Sequence, residues 1–366
     1  MMPTLPFDTP TVLAAWLHDW NPVLLPISGD FAVRWYGLSY VAGFAVGYFL
    51  LRFMSRRGMT PIPGDRAFDV IIIAAITGVV GGRLGYVAFY QPSLLWSFDS
   101  GFPWWSVLAL NQGGMASHGG IMGVFIGAWL VSRGFRAEVA PGRIERVGRS
   151  RLLHVCDVFA AIAPPGLLFG RLANFVNGEL LGRVVAPPGE AAPWWAVRFP
   201  QEHLTKHAPA LSESQEDELT RLVRDVAPGA NSFETGYQRV LELLQSGHAD
   251  VAARLEPLVS ARHPSQLYQA LCEGLIVGLV VWLVWRRPRT PGVVGAWFLI
   301  SYGLLRIATE FVRLPDAHLV VTRFAGLSRG QWLSGMMVLA GVAMLVWVRR
   351  RGGEKLGGWG RATAQE

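Results

Sequence analysis

Long uncharged apolar runs constrain this chain more than any other feature of its sequence. A helix needs about 17–25 apolar residues to cross a bilayer. Runs of that kind occur at 34–53, 68–90, 117–133, 154–176, 265–285, 292–313 and 331–348. Only 16% of all residues are charged, whereas soluble globular proteins carry about 25%. The sequence therefore predicts an all-α polytopic membrane protein with about seven transmembrane helices.

The distribution of arginine predicts the orientation of these helices. If the N-terminus lies outside, nearly all Lys and Arg residues of the short loops lie on the inner side. Positively charged residues of short loops stay in the cytoplasm, so the sequence predicts an N-out, C-in protein. The first Lys or Arg is Arg34, and we therefore do not expect a cleavable signal peptide at the start.

These patterns divide the chain into five predicted regions. Two segments of the long loop, 212–226 and 231–247, alternate apolar and charged residues with helical period, so we expect a small helical head on the periplasmic side. The segment TVLAAWLHDW, residues 11–20, is expected to form a short amphipathic helix at the membrane interface. The predicted regions are the periplasmic arm 1–33, transmembrane helices one to four at 34–176, the periplasmic head 177–262, transmembrane helices five to seven at 263–348 and the basic cytoplasmic tail 349–366.

The cysteines and histidines do not indicate a metal site. Cys156 and Cys272 fall in predicted spans far apart in sequence, and we expect both to be buried as small apolar residues. His118 has no second histidine or carboxylate three or four residues further on, so a helical zinc site is not predicted. No Walker or dinucleotide-binding glycine motif occurs, and no cofactor is expected.

The stretch GRLANFVNGELLGR, residues 170–183, places polar side chains beside an apolar run. An arginine at bilayer depth costs about 2.5–3.5 kcal/mol on insertion scales, so Arg171 is expected to face a polar cavity or a partner. Arg171 and Asn174 share a helix face. We expect the helix to break at the membrane surface at Asn177, Gly178 and Glu179.

A second polar stripe lies in SYGLLRIATEFVR, where helical spacing aligns Tyr302, Arg306, Glu310 and Arg313. Glu310 can hold Arg306 through an i,i+4 pair. Because a guanidinium matches phosphate bidentately, these residues predict an anionic ligand, of which a phospholipid head group is the most available. The alternative is a network of internal salt bridges that only clamps the helices.

Three further residues allow both a structural and a functional interpretation. Arg34 lies at the end of a span, from which an arginine side chain can reach the interface. Arg83 lies among glycines suited to close helix packing and is either functional or a structural partner for an acid. His118, in NQGGMASHGGIMGV, is either a structural histidine or a general base.

These motifs together resemble a known family. GRLANFVNGELLG closely resembles the signature of bacterial prolipoprotein diacylglyceryl transferases. RWYGLSYVAGF, GGMASHGGIMG, RHPSQLYQALCEG, YGLLRIATEFVR and GLSRGQWLS occur in the family's order. The resemblance extends from about residue 33 to residue 335, and the family's seven spans and N-out topology agree with the predictions from the apolar runs and the arginines.

The resemblance implies a reaction in the bacterial inner membrane, with the active site towards the periplasm. The sn-1,2-diacylglyceryl group of phosphatidylglycerol moves to the thiol of a lipobox cysteine in a prolipoprotein, a thioether forms, and glycerol phosphate leaves. In this sequence the resemblance implies that His118, Arg171 and Arg306 are catalytic. With the stripe on the later span, it further implies that phospholipid is bound by Arg171 together with Tyr36, Asn174, Asn177, Glu179, Tyr302, Glu310 and Arg313.

The chemistry of these residues fits that reaction. A free thiol has a pKa near 8.5, so a nearby base is needed to raise the thiolate fraction, and His118 is assigned that role. Arg171 and Arg306 are expected to stabilise the charge that develops on the leaving phosphate. The alternative function is a phospholipid or anion transporter with an arginine-lined cavity. Transporters often contain paired repeats, and neither polar motif has a partner in the other half of the chain.

Overall fold

Helices form most of the structure, as the apolar runs predict. The computed structural model describes residues 15–28, 31–101, 103–110, 113–205, 208–314, 323–324 and 326–359. The α-helices are α1 (Trp35–Arg56), α2 (Ala67–Phe89), α3 (Ser117–Ser132), α4 (Leu152–Ile162), α5 (Pro164–Val176), α6 (Glu213–Val226), α7 (Phe233–Gln245), α8 (Ala249–Leu255), α9 (Ser265–Gln269), α10 (Val277–Trp285), α11 (Val293–Glu310) and α12 (Arg329–Arg351). A π-helix, Ala270–Ile276, joins α9 to α10.

Short strands accompany the helices, so the predicted all-α class is wrong in this respect. The strands are β1 (Trp16–Leu17), β2 (Val23–Ser28), β3 (Phe31–Arg34), β4 (Phe135–Ala140), β5 (Arg143–Val147), β6 (Val184–Ala186), β7 (Val197–Arg198), β8 (Ala261–Arg262), β9 (Arg323–Phe324) and β10 (Leu327–Ser328). Four of them form one sheet in the order β1-β7-β8-β6, and the others form the antiparallel pairs β2–β3, β4–β5 and β9–β10.

Six helical segments of the described chain are long and apolar enough to cross a membrane. They are Trp35–Arg56, Gly64–Phe89, Leu152–Val176, Ser265–Trp285, Val293–Glu310 and Gly330–Arg351. Each corresponds to a predicted span, and together they confirm the polytopic helical architecture. The remaining predicted span, 117–133, is a shorter apolar helix, His118–Ser132, so the count of seven stays a prediction.

The N-terminal segment is not the interfacial helix that the sequence predicts. Trp16 and Leu17 form β1, which pairs in parallel with Val197 and Arg198 of β7. The His18 amide continues this pairing to the Arg198 carbonyl, and the His18 side chain is completely buried. Residues 11–14 of the predicted helix lie outside the described part of the chain.

Two compact units make up the chain. The first comprises the described residues of 1–41, 167–274 and 303–336, and the second those of 42–166, 275–302 and 337–366. The two free cysteines fall one in each unit, and both are half-buried rather than fully buried.

The first unit contains the two helices predicted for the head, observed as α6 and α7. Ser212 and Gln215 form a capping box that starts α6, and the Ser232 side chain caps α7. The apolar faces of α6, α7 and α8 share one core, in which Leu222 and Tyr237 are fully buried. Apolar residues recur with helical period in the two segments because each helix buries one face in this core.

The sheet of the first unit is stabilised by a buried ion pair. Arg262 and Glu202 are both fully buried, and Arg262 Nε lies 2.6 Å from Glu202 Oε2. The Ser260 amide donates to Glu202 Oε1 at 2.7 Å, and Arg262 Nη1 donates to the Gly182 carbonyl at 3.1 Å. Because a buried charge is tolerated only when it is paired and hydrogen-bonded, these contacts connect strand β8 to the segment that follows α5.

Next to this sheet, aromatic rings enclose His18. Its backbone amide donates to the Arg198 carbonyl at 2.8 Å. Its ring lies 5.3, 5.4 and 5.2 Å from the ring centroids of Trp16, Phe175 and Phe199. Burial disfavours the charged imidazolium and lowers the pKa of His18 to about 4. His18 therefore stays neutral and helps to hold the N-terminal segment against the end of α5.

In the second unit, α2 and α3 pack backbone to backbone. A Cβ added to Gly123 would collide with the Thr77 carbonyl oxygen and would lie 3.2 Å from the Gly81 Cα. A Cβ on Gly119 would collide with the Gly81 carbonyl. Small residues are what permit such close approach of membrane helices, so the glycine-rich sequence of α3 reflects packing against α2.

The contacts of Arg83 are structural, but they are made with backbone carbonyl oxygens and not with an acid, as one interpretation of the sequence predicts. Its Nε donates to the Val107 carbonyl at 2.7 Å, Nη2 to the Ser106 carbonyl at 2.6 Å and Nη1 to the Gly113 carbonyl at 2.6 Å. Five donors in a fixed fork suit such a set of carbonyl oxygens. Arg83 therefore organises the loop between α2 and α3.

The first prediction concerns the pH dependence of stability. In the unfolded chain His18 has its ordinary pKa near 6.5, but in the fold its pKa is about 4. As the pH falls from 6.5 to 4, the unfolded state takes up a proton that the folded state does not. Stability should therefore fall through this window by up to about 3 kcal/mol.

The measurement is thermal unfolding in detergent, followed by tryptophan fluorescence at pH 7.5 and pH 4.5, for the wild type and His18→Gln. We expect the wild type to lose more stability than the variant on acidification. Equal losses would mean that protonation of His18 does not contribute.

The second prediction compares two neighbouring glycines of α3. Gly123→Ala should destabilise the protein by about 1–3 kcal/mol, since the added methyl collides with backbone that cannot move independently. Gly120→Ala is the matched control, because the nearest atom to its Cβ lies at 3.7 Å. A glycine-to-alanine change in an open helical position stabilises slightly. The measurement is the melting temperature of both variants in the same detergent. Equal melting temperatures would contradict close packing at Gly123.

Candidate active site

The centre of the candidate site is a salt bridge between Arg171 of α5 and Glu273 of the π-helix. Arg171 Nε and Nη2 donate to Glu273 Oε2 at 3.0 and 2.9 Å. The Glu273 side chain has no exposed surface, and that of Arg171 is 19% exposed. Two hydrogen bonds from adjacent nitrogens fix the plane of the guanidinium, so Arg171 is held in one orientation.

A second arginine approaches the other oxygen of the same carboxylate. Arg306 Nε lies 3.6 Å from Glu273 Oε1, and Arg306 Nη1 lies 3.1 Å from Glu310 Oε2. The predicted i,i+4 pair between Arg306 and Glu310 is thus confirmed. Arg313 Nη1 lies 3.7 Å from Glu310 Oε2. Among the described residues, three guanidinium groups therefore alternate with two carboxylates in a largely buried cluster.

The carboxylate of Glu310 is also contacted by strand β10 and by the first turn of α12. Ser328 Oγ donates to Glu310 Oε1 at 3.0 Å. A Cβ on Gly330 would lie 2.8 Å from the same oxygen, so a side chain here would displace the carboxylate. The motif GLSRGQWLS thus contributes a hydroxyl donor and a gap at this end of the cluster.

The polar end of α5 forms a second group of contacts. Asn174 Nδ2 donates to Glu179 Oε2 at 3.3 Å, and Asn177 Nδ2 donates to Glu179 Oε1 at 3.1 Å. The helix ends at Val176, and Gly178 adopts a φ of +65°, a conformation that glycine reaches without steric cost. The predicted helix break at 177–179 is confirmed, and the break is what turns Glu179 back towards both asparagines.

The segments that follow α5 and α11 are joined by backbone hydrogen bonds. Gly182 and Arg313 form an antiparallel bridge, and the Arg183 amide donates to the Val312 carbonyl at 2.9 Å. Arg313 is therefore not on the helical stripe that the sequence predicts, because α11 ends at Glu310. Its guanidinium nevertheless reaches Glu310, which lies three residues earlier.

The structure thus brings together most of the predicted residues of the first unit. Arg171, Arg306, Glu310 and Arg313 share one ion cluster, and Asn174, Asn177 and Glu179 share the other group. Tyr36, in the first turn of α1, accepts a hydrogen bond from the Tyr40 hydroxyl at 3.2 Å.

Two predicted site residues belong to the second unit. Tyr302 stacks on Phe298 within α11, with ring centroids 5.8 Å apart. His118 is the exposed second residue of α3. Their placement beside Arg171 stays a prediction.

Glu273 belongs to this cluster but is not among the site residues that the sequence predicts. An acid inside an apolar span needs a positive partner for the same reason that an arginine does. This rule could have identified Glu273, since it lies inside 265–285. Its partners, however, come from α5 and α11, more than 100 residues before it and 33 residues after it, and no local spacing indicates them.

The chain is also similar in sequence to known proteins. A family model described as prolipoprotein diacylglyceryl transferase matches residues 22–347. A phosphatidylglycerol–prolipoprotein diacylglyceryl transferase of Bdellovibrio bacteriovorus is 38% identical over 362 residues, which cover 94% of this chain and 97% of that protein. Proteins with the same name from Ralstonia pickettii and Paraburkholderia phymatum are each 37% identical, over 92% of this chain and 95% of their own lengths.

The third prediction tests the role of Glu273 in holding the cluster. Glu273→Gln keeps the shape of the side chain but leaves the guanidinium groups of Arg171 and Arg306 without their shared carboxylate. Removing one partner of a buried pair costs about 3–5 kcal/mol, and we expect a loss of that order in unfolding measurements in detergent.

Glu218→Gln is the control for that variant. Glu218 Oε1 lies 2.8 Å from Arg254 Nε, but both side chains are 35% exposed. A surface pair of this kind is worth at most about 1 kcal/mol. If both variants lose the same stability, the buried cluster is not held together by Glu273.

Proposed function

This chain belongs to the prolipoprotein diacylglyceryl transferase family, and we propose that it catalyses the reaction for which its relatives are named. The diacylglyceryl group of phosphatidylglycerol is transferred to a cysteine thiol of a prolipoprotein. In this reaction the thiol sulfur forms a bond to the terminal glycerol carbon of the diacylglyceryl group. The bond from that carbon to the phosphate oxygen breaks, glycerol phosphate leaves with the bonding electrons, and the thiol proton passes to a base.

The observation that carries the proposal is the ion cluster around Glu273. A phosphate that leaves with an electron pair needs positive charge that is already in place. The cluster presents the guanidinium groups of Arg171, Arg306 and Arg313 at low exposure, where their charge is only weakly screened. Glu273 holds Arg171 and Arg306 through two different oxygens, so the two guanidinium groups are presented together.

The lipid head group is assigned to the polar residues around this cluster. Arg171 and Arg306 bind and stabilise the phosphate. Asn174, Asn177 and Glu179 line the end of α5 next to Arg171 and orient the head group. We also assign Tyr36 and Tyr302 to phospholipid binding, since their hydroxyl groups are suited to the ester oxygens.

His118 is the proposed general base. The nucleophile is the thiol of the substrate, which explains why no nucleophilic residue is required in this chain. A base raises the thiolate fraction at neutral pH. His118 stands at the start of α3 and is exposed, and a neutral imidazole can accept a proton.

The topology follows from the same proposal. We assign seven membrane spans with His118–Ser132 as the third, an N-out, C-in orientation, and a site that opens to the periplasmic side of the inner membrane. The prolipoprotein is recognised through the lipobox of its signal peptide. The names of the relatives favour this function over a lipid or anion transporter.

The fourth prediction is the direct test of the function. Purified protein, phosphatidylglycerol and a lipobox peptide are mixed in detergent, and peptide mass and glycerol phosphate release are followed together. We expect a diacylglyceryl mass gain that is absent when the peptide cysteine is replaced by serine. Arg171→Ala should lower the rate by at least about 10²-fold.

Arg221→Ala is the control for that variant, because Arg221 is an exposed arginine of the head helix α6. It should transfer at the wild-type rate. A folded wild-type protein that binds phosphatidylglycerol but never modifies the peptide would contradict the transferase function and favour a transporter.

The fifth prediction concerns the base. His118→Gln should slow thioether formation by about 10²–10⁴-fold while the affinity for phosphatidylglycerol stays near that of the wild type. If the rate is unchanged, His118 is structural and the base lies elsewhere.

A further inference from the structure

Several amide side chains lie where α5 ends, and their oxygens are left without hydrogen bonds. Within the described part of the chain, Asn177 Oδ1, Gln201 Oε1, Gln266 Oε1 and both amide atoms of Gln269 are buried and have no hydrogen-bond partner. Gln266 and Gln269 have no exposed surface at all. A buried unpaired amide carries a free-energy cost, so the presence of several in one place calls for a ligand.

The orientation of two of these amides is determined by their other contacts. Asn177 Nδ2 donates to Glu179 Oε1 at 3.1 Å, and Gln266 Nε2 donates to the Glu179 carbonyl at 2.5 Å. A carboxylate and a carbonyl only accept hydrogen bonds, so each amide must turn its NH₂ group towards Glu179. The unpaired atoms of Asn177 and Gln266 are therefore oxygens, and they require a donor.

These amides are placed between the two halves of the candidate site. Gln266, Gln269 and Glu273 follow one another at spacings of three and four residues, which puts them on one face of the helical segment. Gln266 contacts Glu179 at one end of this row, and Glu273 binds Arg171 at the other. Gln269 thus lies between the polar end of α5 and the arginines.

Gln201 closes the group from the side of the sheet. Its amide packs directly on the Gly178 Cα, where any Cβ would collide with it. Asn177 is only half-buried, whereas Gln266 and Gln269 are fully buried.

We infer that these four amides form a hydroxyl-binding subsite for the head group of the donor lipid, an inference that rests on the proposed function. The phosphate is bound by the arginines next to Glu273. The glycerol beyond that phosphate carries two hydroxyl groups, and each can donate a hydrogen bond to an amide oxygen. A phosphate ester of a plain alcohol has the same charge and cannot supply these donors. The subsite therefore selects a polyol head group.

The test compares two donor lipids that differ only in these hydroxyl groups. Phosphatidylglycerol and phosphatidylpropanol share the phosphodiester, the charge and the diacylglyceryl group, but phosphatidylpropanol lacks both hydroxyls. We expect the wild type to prefer phosphatidylglycerol in kcat/KM by at least about tenfold, since a buried site left with unpaired polar groups discriminates strongly. Gln269→Leu should lower this preference about tenfold by slowing transfer from phosphatidylglycerol alone.

A stability measurement separates this role from a structural one. Gln269 makes no side-chain hydrogen bond within the described residues, so an apolar residue of similar size should leave the melting temperature unchanged or raise it. Gln269→Met, which differs less in shape, provides a second variant should Gln269→Leu fold poorly. Gln238→Leu, at an exposed position of α7, is the matched control and should leave the preference unchanged.

The outcomes are distinct. Equal loss of transfer from both lipids in Gln269→Leu and Gln269→Met, together with a lower melting temperature, would overturn the subsite and make Gln269 a structural residue. A wild type that uses both lipids equally well would overturn the subsite but leave the transferase function standing. A wild type that transfers from neither lipid would overturn the proposed function and the subsite with it.

Discussion

The carboxylate of Glu273 is the group on which the rest of the site depends. It is fully buried in the middle of an apolar segment and is approached by arginines from two other helices. Each of these charges would be costly alone at this depth. Arg171 and Arg306 can remain charged because Glu273 lies between them, and Arg313 is compensated by Glu310, which Arg306 also contacts. The cluster of arginines thus includes its own acids.

The local geometry around Glu273 supports this arrangement. Glu273 lies in a π-helix, a wider turn that is rare and often found at functional sites. A Cβ on Gly274 would lie 2.7 Å from the Leu168 Cα of α5, so glycine at this position permits the close approach of the two segments. That approach is what brings the Glu273 carboxylate within hydrogen-bonding distance of Arg171.

The sequence predicts where the helices lie better than it predicts which distant residues contact each other. Hydropathy identifies all six long apolar helices because lipid-exposed and buried faces are both apolar, and helical period identifies α6 and α7 because each buries one face. The pairing of β1 with β7 is not predicted, since Trp16 and Val197 are far apart in the chain and two-residue strands have no period. In the same way, Arg83 is recognisable as a buried arginine, but nothing in its neighbourhood shows that it binds carbonyl oxygens of a loop rather than an acid.

The site follows the same division between local and distant contacts. The pair of Arg306 with Glu310 and the break of α5 at Gly178 depend on residues within one or two turns, and both are predicted. Glu273 and the buried amides of Gln266 and Gln269 become part of the site only when α5 and the π-helix are next to each other. The polar residues of a membrane span are therefore recognisable in the sequence, whereas the donors and acceptors that remain unpaired after packing are recognisable only in the structure.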